Sequence, residues 1–600
     1  MPYLMDIKQK GSAKYSSKLQ CSEFEKQLLI KGNIIDPSES PREMIERIVE
    51  TIFSVEKRYG TPFSVIKKMK EDFGNFLDEK FCVMSTPVMT NAGRYKNRPL
   101  SACTVPYLDL KELKGVRKIV EQLHIEGMGT GFNFDEVEDP IQTLNYLNEI
   151  AVTGSKSGKE NRPVGNIAII SVNHHKILDF IYAKSGLRKD FNWKFNISVN
   201  ATDDFMIAAK KGKHYSLTNG KKINAKKVLD EIIKCASNSG DPGLIFIDRL
   251  NRDNPTPIVG NYTSTAPCGE VGLTAGESCQ FGYLNLAKFV IKTNSENLID
   301  YYNLEKAVRL MTRVLDNALD ISIDNYSQPE NKKVMLAKRK IGIGVCGLAD
   351  MLIKLKIPYG DKKATQTCND VISFINYYSK IESHELAKLR GSFGAMKATE
   401  GCRYNEDPGF LEKKYGSINT KTVSGLMWQK LGEKIRKTGY LRNASTIALP
   451  PTGRSGITIG ASTGIEPIFS IVNYDGTINQ SLVDDLRDYG IKVTKNIKKE
   501  ILSLGSIKNI LGIPEKIKKL YRTAVEIPAL EHLSLVAKIQ EVVDESISKT
   551  INVPEDIKID DLKEMYTTAY DLGLKGITIF RNGSRLNQPR SLSKKPSEAR

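Results

Sequence analysis

The sequence predicts an α/β fold. From about residue 80 to about residue 580, short β-rich runs such as 165–172 and 243–247 alternate with helical patterns such as 303–319. That alternation implies parallel strands joined by crossover helices. At 600 residues the chain exceeds the size at which one hydrophobic core usually stops growing, so it forms one very large unit or several lobes and can enclose a site. With 40% hydrophobic and 26% charged residues, its composition is that of a globular protein and not of a disordered or fibrous one.

Residues 1–78 read as a helical N-terminal lobe: in 41–50 the apolar spacing is near 3.6, after Ser38, Glu39 and Ser40 as cap candidates. Residues 79–582 carry the α/β alternation. Residues 583–600, polar and basic with two prolines, read as a disordered tail. There is no internal repeat. No apolar run reaches membrane-spanning length, and residues 1–18 lack the apolar core of a signal peptide, so a cytoplasmic address without a membrane partner is expected.

The formal charge of +18 raises the question of nucleic acid. The lysines, however, are scattered through helical patterns such as 495–519, with no interleaving of aromatic and basic residues. Diffuse charge of this kind gives only non-specific attraction, so the expectation is a solvated basic surface, no nucleic-acid partner, and a preference for phosphorylated small molecules. Nine cysteines form no C-x-x-C pair, and six histidines form no H-E-x-x-H motif, so no metal site is expected. Persistent disulfides are rare in large cytosolic chains, and any disulfide here should be transient and chemical.

The segment Ser264-Thr265-Ala266-Pro267-Cys268-Gly269-Glu270 sets a thiol and a carboxylate two residues apart in a loop bracketed by proline and glycine. In an extended backbone Ala266, Cys268 and Glu270 would project to one side and meet one substrate. Two readings are open on these residues alone, a catalytic thiol or a small hydrophobe in an ordinary turn. Residues 449–464, with four glycines, several hydroxyls and Arg454, suit either a phosphate cradle or a turn-rich connection. They match neither the Walker pattern nor G-x-G-x-x-G. A polar loop at 154–165 lies directly before a predicted strand, where binding loops are common and solvated charged loops more so.

Taken in order, a set of segments resembles the catalytic subunit of ribonucleotide reductase, most closely the adenosylcobalamin-dependent class II enzymes. They are STPVMTNAG at 85–93, LSAC at 100–103, GMGTGF at 127–132, NRP at 161–163, DPGLIF at 241–246, the Cys268/Glu270 loop, ESC at 277–279, PTG at 451–453, GIEP at 464–467, ISKTIN at 547–552 and GLKGIT at 573–578. The resemblance covers nearly the whole chain. It implies a ten-stranded α/β barrel with Cys268 at the tip of a central finger loop. It also implies a thiyl radical on Cys268 that abstracts the substrate's 3′-hydrogen, and Glu270 as general base on the 3′-hydroxyl. By the same resemblance Cys103 and Cys279 supply two electrons and become a disulfide while the 2′-hydroxyl leaves as water. Thr86, Ala102, Ala266, Pro451, Thr452, Gly453, Arg454 and Ser455 would bind substrate. The loop with Lys159, Asn161 and Arg162 would relay between a dNTP or ATP effector and the base being reduced. A homodimer and a thioredoxin-like or small dithiol reductant are implied as partners, with a ribonucleoside di- or triphosphate as substrate. Relatives that take their radical from a second subunit carry two adjacent tyrosines where this chain has Ile579 and Phe580, and the glycyl-radical class needs motifs missing here. Adenosylcobalamin is therefore the expected cofactor, although no D-x-H-x-x-G signature is present.

Four departures from the family pattern bear on chemistry. Ala266 stands where the family has asparagine, and an unreplaced hydrogen bond there costs about 1–3 kcal/mol, or roughly ten- to a hundredfold in rate. Gln280, Phe281 and Tyr283 add bulk beside the reductant pair. Arg454 adds a permanent charge to the phosphate loop. No cysteine follows Cys402, so the C-terminal pair that re-reduces the disulfide has no counterpart in this sequence. Two alternatives to an ordinary reductase remain: a radical enzyme of this fold acting on a different nucleotide, and a non-catalytic nucleotide-binding relative.

Overall fold

Nine strands and one bridged segment at 447–449 follow one another around a ring. In the computed structural model, which describes residues 22–157, 164–188, 191–294, 296–418, 420–473 and 475–584, strands Cys103–Thr104, Gly129–Asn133, Asn166–Ser171, Phe195–Ala201 and Gly243–Phe246 lie side by side, all parallel. Gly576–Arg581 joins the last of these antiparallel and pairs in parallel with Thr550–Val553. The ladder continues through parallel bridges, Ile547 to Leu449 and Ile447 to Ile343. Ile343 belongs to strand Gly342–Cys346, which runs parallel to Phe281–Asn285. One residue before that strand, Ser278–Cys279 pairs antiparallel with Cys103–Thr104, and the ring closes. Two parallel halves, one of five strands and one of four strands with the bridged segment, thus meet at two antiparallel seams.

Parallel strands covered on both faces need continuous apolar runs, and Ile167, Ala168, Ile169 and Ile170 are all buried. Helices on the outside complete the burial, the longest being Tyr301–Asn325 and Lys362–Arg390. The strand expected over 165–172 spans Asn166–Ser171, and the helix expected over 303–319 is Tyr301–Asn325.

Before the first barrel strand come helices Glu23–Lys31, Pro41–Ser54 and Phe63–Asp78. Ser40 begins the second through a capping box: its Oγ accepts from the Glu43 N–H at 3.2 Å, and the Glu43 carboxylate accepts from the Ser40 N–H at 2.7 Å. This helical segment is pinned to the barrel by Glu56, which is fully buried and accepts from Arg313 at 2.8 Å and Arg390 at 2.6 Å. Burial alone would raise the Glu56 carboxyl; the two arginines more than offset it and hold it at about 2.

Two features depart from expectation. The helical pattern over 495–519 breaks at Gly505 into Lys495–Leu504 and Glu515–Leu520, which with Gln480–Asp488 enclose a small core of their own around Leu482, Leu486, Ile501 and Tyr521. The polar stretch expected as a loop from residue 154 instead ends helix Pro140–Ser157, and its remainder at 158–163 lies outside the described residues.

Candidate active site

A hairpin stands inside the ring. Ser264–Thr265 pairs antiparallel with Gly272–Leu273, and the chain between them turns back on itself, with the Ala266 N–H on the Val271 carbonyl at 3.1 Å and the Gly269 N–H on the Ala266 carbonyl at 2.9 Å. The barrel wall grips this finger. Asn133 Nδ2 donates to the Thr263 carbonyl at 2.8 Å, and Asn196 Nδ2 to the Pro267 carbonyl at 3.0 Å. A Cβ at Gly131 would lie 2.2 Å from the Thr265 carbonyl oxygen, so glycine in that strand is what lets finger and wall touch.

The turn corrects the extended-backbone expectation. The strand stops at Thr265, and Gly269 has φ +76°, so chain reversal and not two-residue alternation sets the side-chain directions. Ala266 is 0% exposed, Cys268 is the one exposed cysteine among the described residues, and Glu270 is 3% exposed. The Glu270 backbone is fixed by the Ser546 N–H on its carbonyl at 3.0 Å, while its Oε2 has no hydrogen-bond partner. Burial pushes the Glu270 carboxyl up to about 7, against the lowering effect of backbone N–H groups of Glu270 and Cys268. A carboxyl poised near neutrality is suited to exchanging a proton with a bound hydroxyl.

Cys103 and Cys279, 176 positions apart in the chain, are directly opposite each other in the antiparallel seam. Residues so paired have Cα atoms roughly 4.5–5.5 Å apart, within the span a disulfide bridges. Ala102 adjoins them, its N–H on the Cys279 carbonyl at 3.1 Å. Of the bulky residues following Cys279, Gln280 turns away: its amide donates to the Leu100 carbonyl at 3.2 Å and accepts from Ser322 Oγ at 3.1 Å. Tyr283 turns in. Its ring crosses Gly344 toward Pro450, and a Cβ at Gly344 would sit 2.8 Å from the ring and 3.0 Å from Pro450 Cδ. Its hydroxyl lies 3.4 Å from the Pro451 carbonyl. Burial, with Glu270, Cys279, Cys268 and Cys103 all close enough to add to it, holds the phenol proton firmly.

The hydroxyl-rich loop meets this chamber through Pro451. Thr452 Oγ1 accepts from the Gly464 N–H at 3.1 Å, Ser455 is buried at the start of the short helix Gly453–Thr458, and Ser455 Oγ lies 3.5 Å from Thr86 Oγ1. Pro451 and Gly453 are exposed beside them. Lys159, Asn161, Arg162 and the Arg454 side chain lie outside the described residues.

Sequence reasoning missed the support beneath the finger. Glu277 is fully buried and pairs with Lys338 at 2.6 Å and Lys340 at 3.0 Å. Lys340 also donates to the Gly272 carbonyl at 2.7 Å, and Lys338 to Thr274 Oγ1 at 3.2 Å, so both lysines hold the returning strand of the hairpin. Burial brings Lys338 down to about 8, with Glu277 opposing that fall and Lys340 adding to it. The available signal was the run Lys338-Arg339-Lys340 directly before an apolar strand, where a solvated charge run has no place. Among the described residues no group of three or more His, Cys, Asp or Glu side chains is arranged to hold a metal ion, and no helix is long and apolar enough to cross a membrane.

Residues 131–580 match the family model described as ribonucleotide reductase, barrel domain. The chain is 34% identical over 550 residues to a vitamin B12-dependent ribonucleoside-diphosphate reductase of Thermoplasma acidophilum, covering 86% of this chain and 66% of that one. It is 29% identical over 580 residues to a protein of the same description from Mycobacterium tuberculosis, covering 92% and 77%. The chain therefore spans just under two thirds of the archaeal relative's length. Among solved structures, the class Id ribonucleotide reductase alpha subunit of Actinobacillus ureae superposes with a TM-score of 0.72 at 19% identity, covering 94% of this chain and 97% of that one, a likeness of fold.

Proposed function

The chain belongs to the ribonucleotide reductase family, whose barrel-domain model it matches over residues 131–580, and from that premise we propose that it reduces ribonucleotides to 2′-deoxyribonucleotides by a thiyl-radical mechanism dependent on adenosylcobalamin. The observation that carries the reading is the finger's exposed thiol at Cys268 and buried carboxyl at Glu270 beside the cross-strand pair Cys103 and Cys279, close enough that a Cβ at Gly129 would lie 3.2 Å from both Cys103 Sγ and Pro267 Cγ.

In this reading a thiyl radical on Cys268 takes the 3′-hydrogen atom of the ribose, and Glu270 takes the proton of the 3′-hydroxyl. The 2′-hydroxyl leaves as water. Cys103 and Cys279 give up two electrons and two protons and join as a disulfide, and Cys268 returns a hydrogen atom to C3′. The net change is one ribonucleotide and two thiols converted to one deoxyribonucleotide, one water and one disulfide. Thr86, Thr452, Gly453 and Ser455 hold the substrate phosphates, with Arg454 beside them, and Ala102, Ala266 and Pro451 border the sugar.

The cofactor reading is supported by the thiol itself. Cys268 is exposed while the other described cysteines are buried or half-buried, and space is open at Gly269, where a Cβ would meet nothing within 4 Å. Pro267 and Gly269, with Asn196 fixing the Pro267 carbonyl, would frame the group. When bound, adenosylcobalamin supplies homolytic chemistry that removes the thiol hydrogen atom. A dNTP or ATP effector acting through Lys159, Asn161 and Arg162, a thioredoxin-like or small dithiol reductant, a homodimer and a cytoplasmic location complete the proposal.

The test is direct. Protein supplied with adenosylcobalamin, a dithiol and each ribonucleoside di- or triphosphate is expected to release the deoxyribonucleotide. Without reductant, turnover should stop after one product per chain, with Cys103 and Cys279 protected from alkylation. Absence of product with every ribonucleotide sinks the proposal.

A further inference from the structure

Resting on the reductase reading, one polar group in the chamber has no assigned task, and it is the phenol of Tyr283. Glu270, Cys279, Cys268 and Cys103 all bear on it electrostatically, Glu270 most, and Ala266 on the finger offers only a methyl. Other neutral donors next to the cysteine pair are already engaged. The Ser101 hydroxyl lies 2.5 Å from Tyr326 Oη, and the Gln280 amide is held by Leu100 and Ser322. Tyr283 Oη differs: its contact with the Pro451 carbonyl is 3.4 Å, well beyond the roughly 2.7–2.8 Å of a good O–H···O bond. A buried O–H held so loosely gains from a nearer acceptor.

The ring cannot move far to find one. It is fixed across Gly344 and against Pro450, in a strand that follows directly from Cys279. The hydroxyl is therefore presented between the cysteine pair and the loop that carries Thr452 and Ser455. A nucleotide with its phosphates on that loop and its sugar over Cys268 brings a ribose hydroxyl to this place. Glu270 accepts from the 3′-hydroxyl in the reading above, so the ribose hydroxyl left without a partner of its own is the 2′. We propose that Tyr283 donates a hydrogen bond to the 2′-hydroxyl oxygen of the substrate and thereby selects a ribonucleotide over its deoxy product. A phenol is suited to the role because it stays protonated throughout the working pH range and donates without adding charge beside Glu270.

The experiment measures equilibrium binding to reduced protein without cofactor, for wild type and Tyr283→Phe. The ligands are the ribonucleotide that wild type binds most tightly and its 2′-deoxy counterpart. Tyr283→Phe is expected to weaken ribonucleotide binding by about ten- to a hundredfold and deoxyribonucleotide binding by less than about threefold. Equal losses on both ligands, or no loss on the ribonucleotide, overturn the inference. If Tyr283→Phe also lowers the melting temperature, the ratio of the two affinities still decides, because loosened packing weakens both ligands alike. Failure of wild type to bind any ribonucleotide overturns the reductase reading itself, and the inference with it.

Discussion

Replacing Glu270 by glutamine should make the protein more stable above neutrality while removing its activity. The carboxyl ordinarily titrates at 4.5 and is held at about 7 by burial. The folded chain therefore binds this proton more tightly than the unfolded chain does. Stability from it is fully present below pH 4.5 and is lost as pH rises through 7. A difference of about 2.5 units at 1.36 kcal/mol per unit comes to about 3 kcal/mol, the cost of an ionised carboxylate whose Oε2 has no partner. Glu270→Gln removes that cost, so denaturant unfolding at pH 8 should give a variant up to about 3 kcal/mol more stable than wild type, and at pH 4 the two should converge. In the proposed reaction the same proton governs turnover, since only the ionised carboxyl would accept the 3′-hydroxyl proton. Product formation in a single turnover of pre-reduced protein, which keeps the external dithiol's own titration out of the measurement, should rise about tenfold from pH 6 to pH 8 in wild type. A flat profile across that range, or identical pH dependence of stability in wild type and Glu270→Gln, would refute the reasoning.

Cys268→Ser should abolish product formation while leaving stability within about 0.5 kcal/mol of wild type, because the side chain is exposed; any residual turnover counts against the radical role. Gly344→Ala sets a methyl 2.8 Å from the Tyr283 ring, and denaturant unfolding should show a loss of about 1–3 kcal/mol together with reduced turnover; unchanged values of both would mean the ring is not fixed there. Lys338→Met leaves Glu277 short of its 2.6 Å partner in a fully buried site and should cost about 3–5 kcal/mol, with part recovered in the Lys338→Met, Glu277→Gln double variant; a loss under about 1 kcal/mol would show that Lys340 alone suffices.

The α/β class was legible because strands covered on both faces must be apolar throughout, as residues 167–170 are, and because the intervening helices carry apolar stripes. The capping box at Ser40 and Glu43 could be read from local spacing alone. Cys268 and Glu270 could be read as neighbours on one loop, and residues 452–455 as a run of hydroxyls and glycine open to either a cradle or a turn, since each set is contiguous in the chain. What could not be read is whatever depends on distant segments meeting. Antiparallel register sets Cys103 against Cys279 across 176 positions, and no spacing rule encodes it. Burial of Lys338 and Lys340 reverses the usual reading of a charge run, because their partner Glu277 arrives from across the finger. The turn at Ala266–Gly269, and not strand alternation, exposes Cys268 and buries Glu270, and burial in turn raises that carboxyl. Residue types and their local order determined which chemistry this chain can carry. Only the tertiary structure, by bringing the finger, the seam and the loop at 451–455 together, decided which groups face one another, since desolvation and contact are properties of the assembled interior.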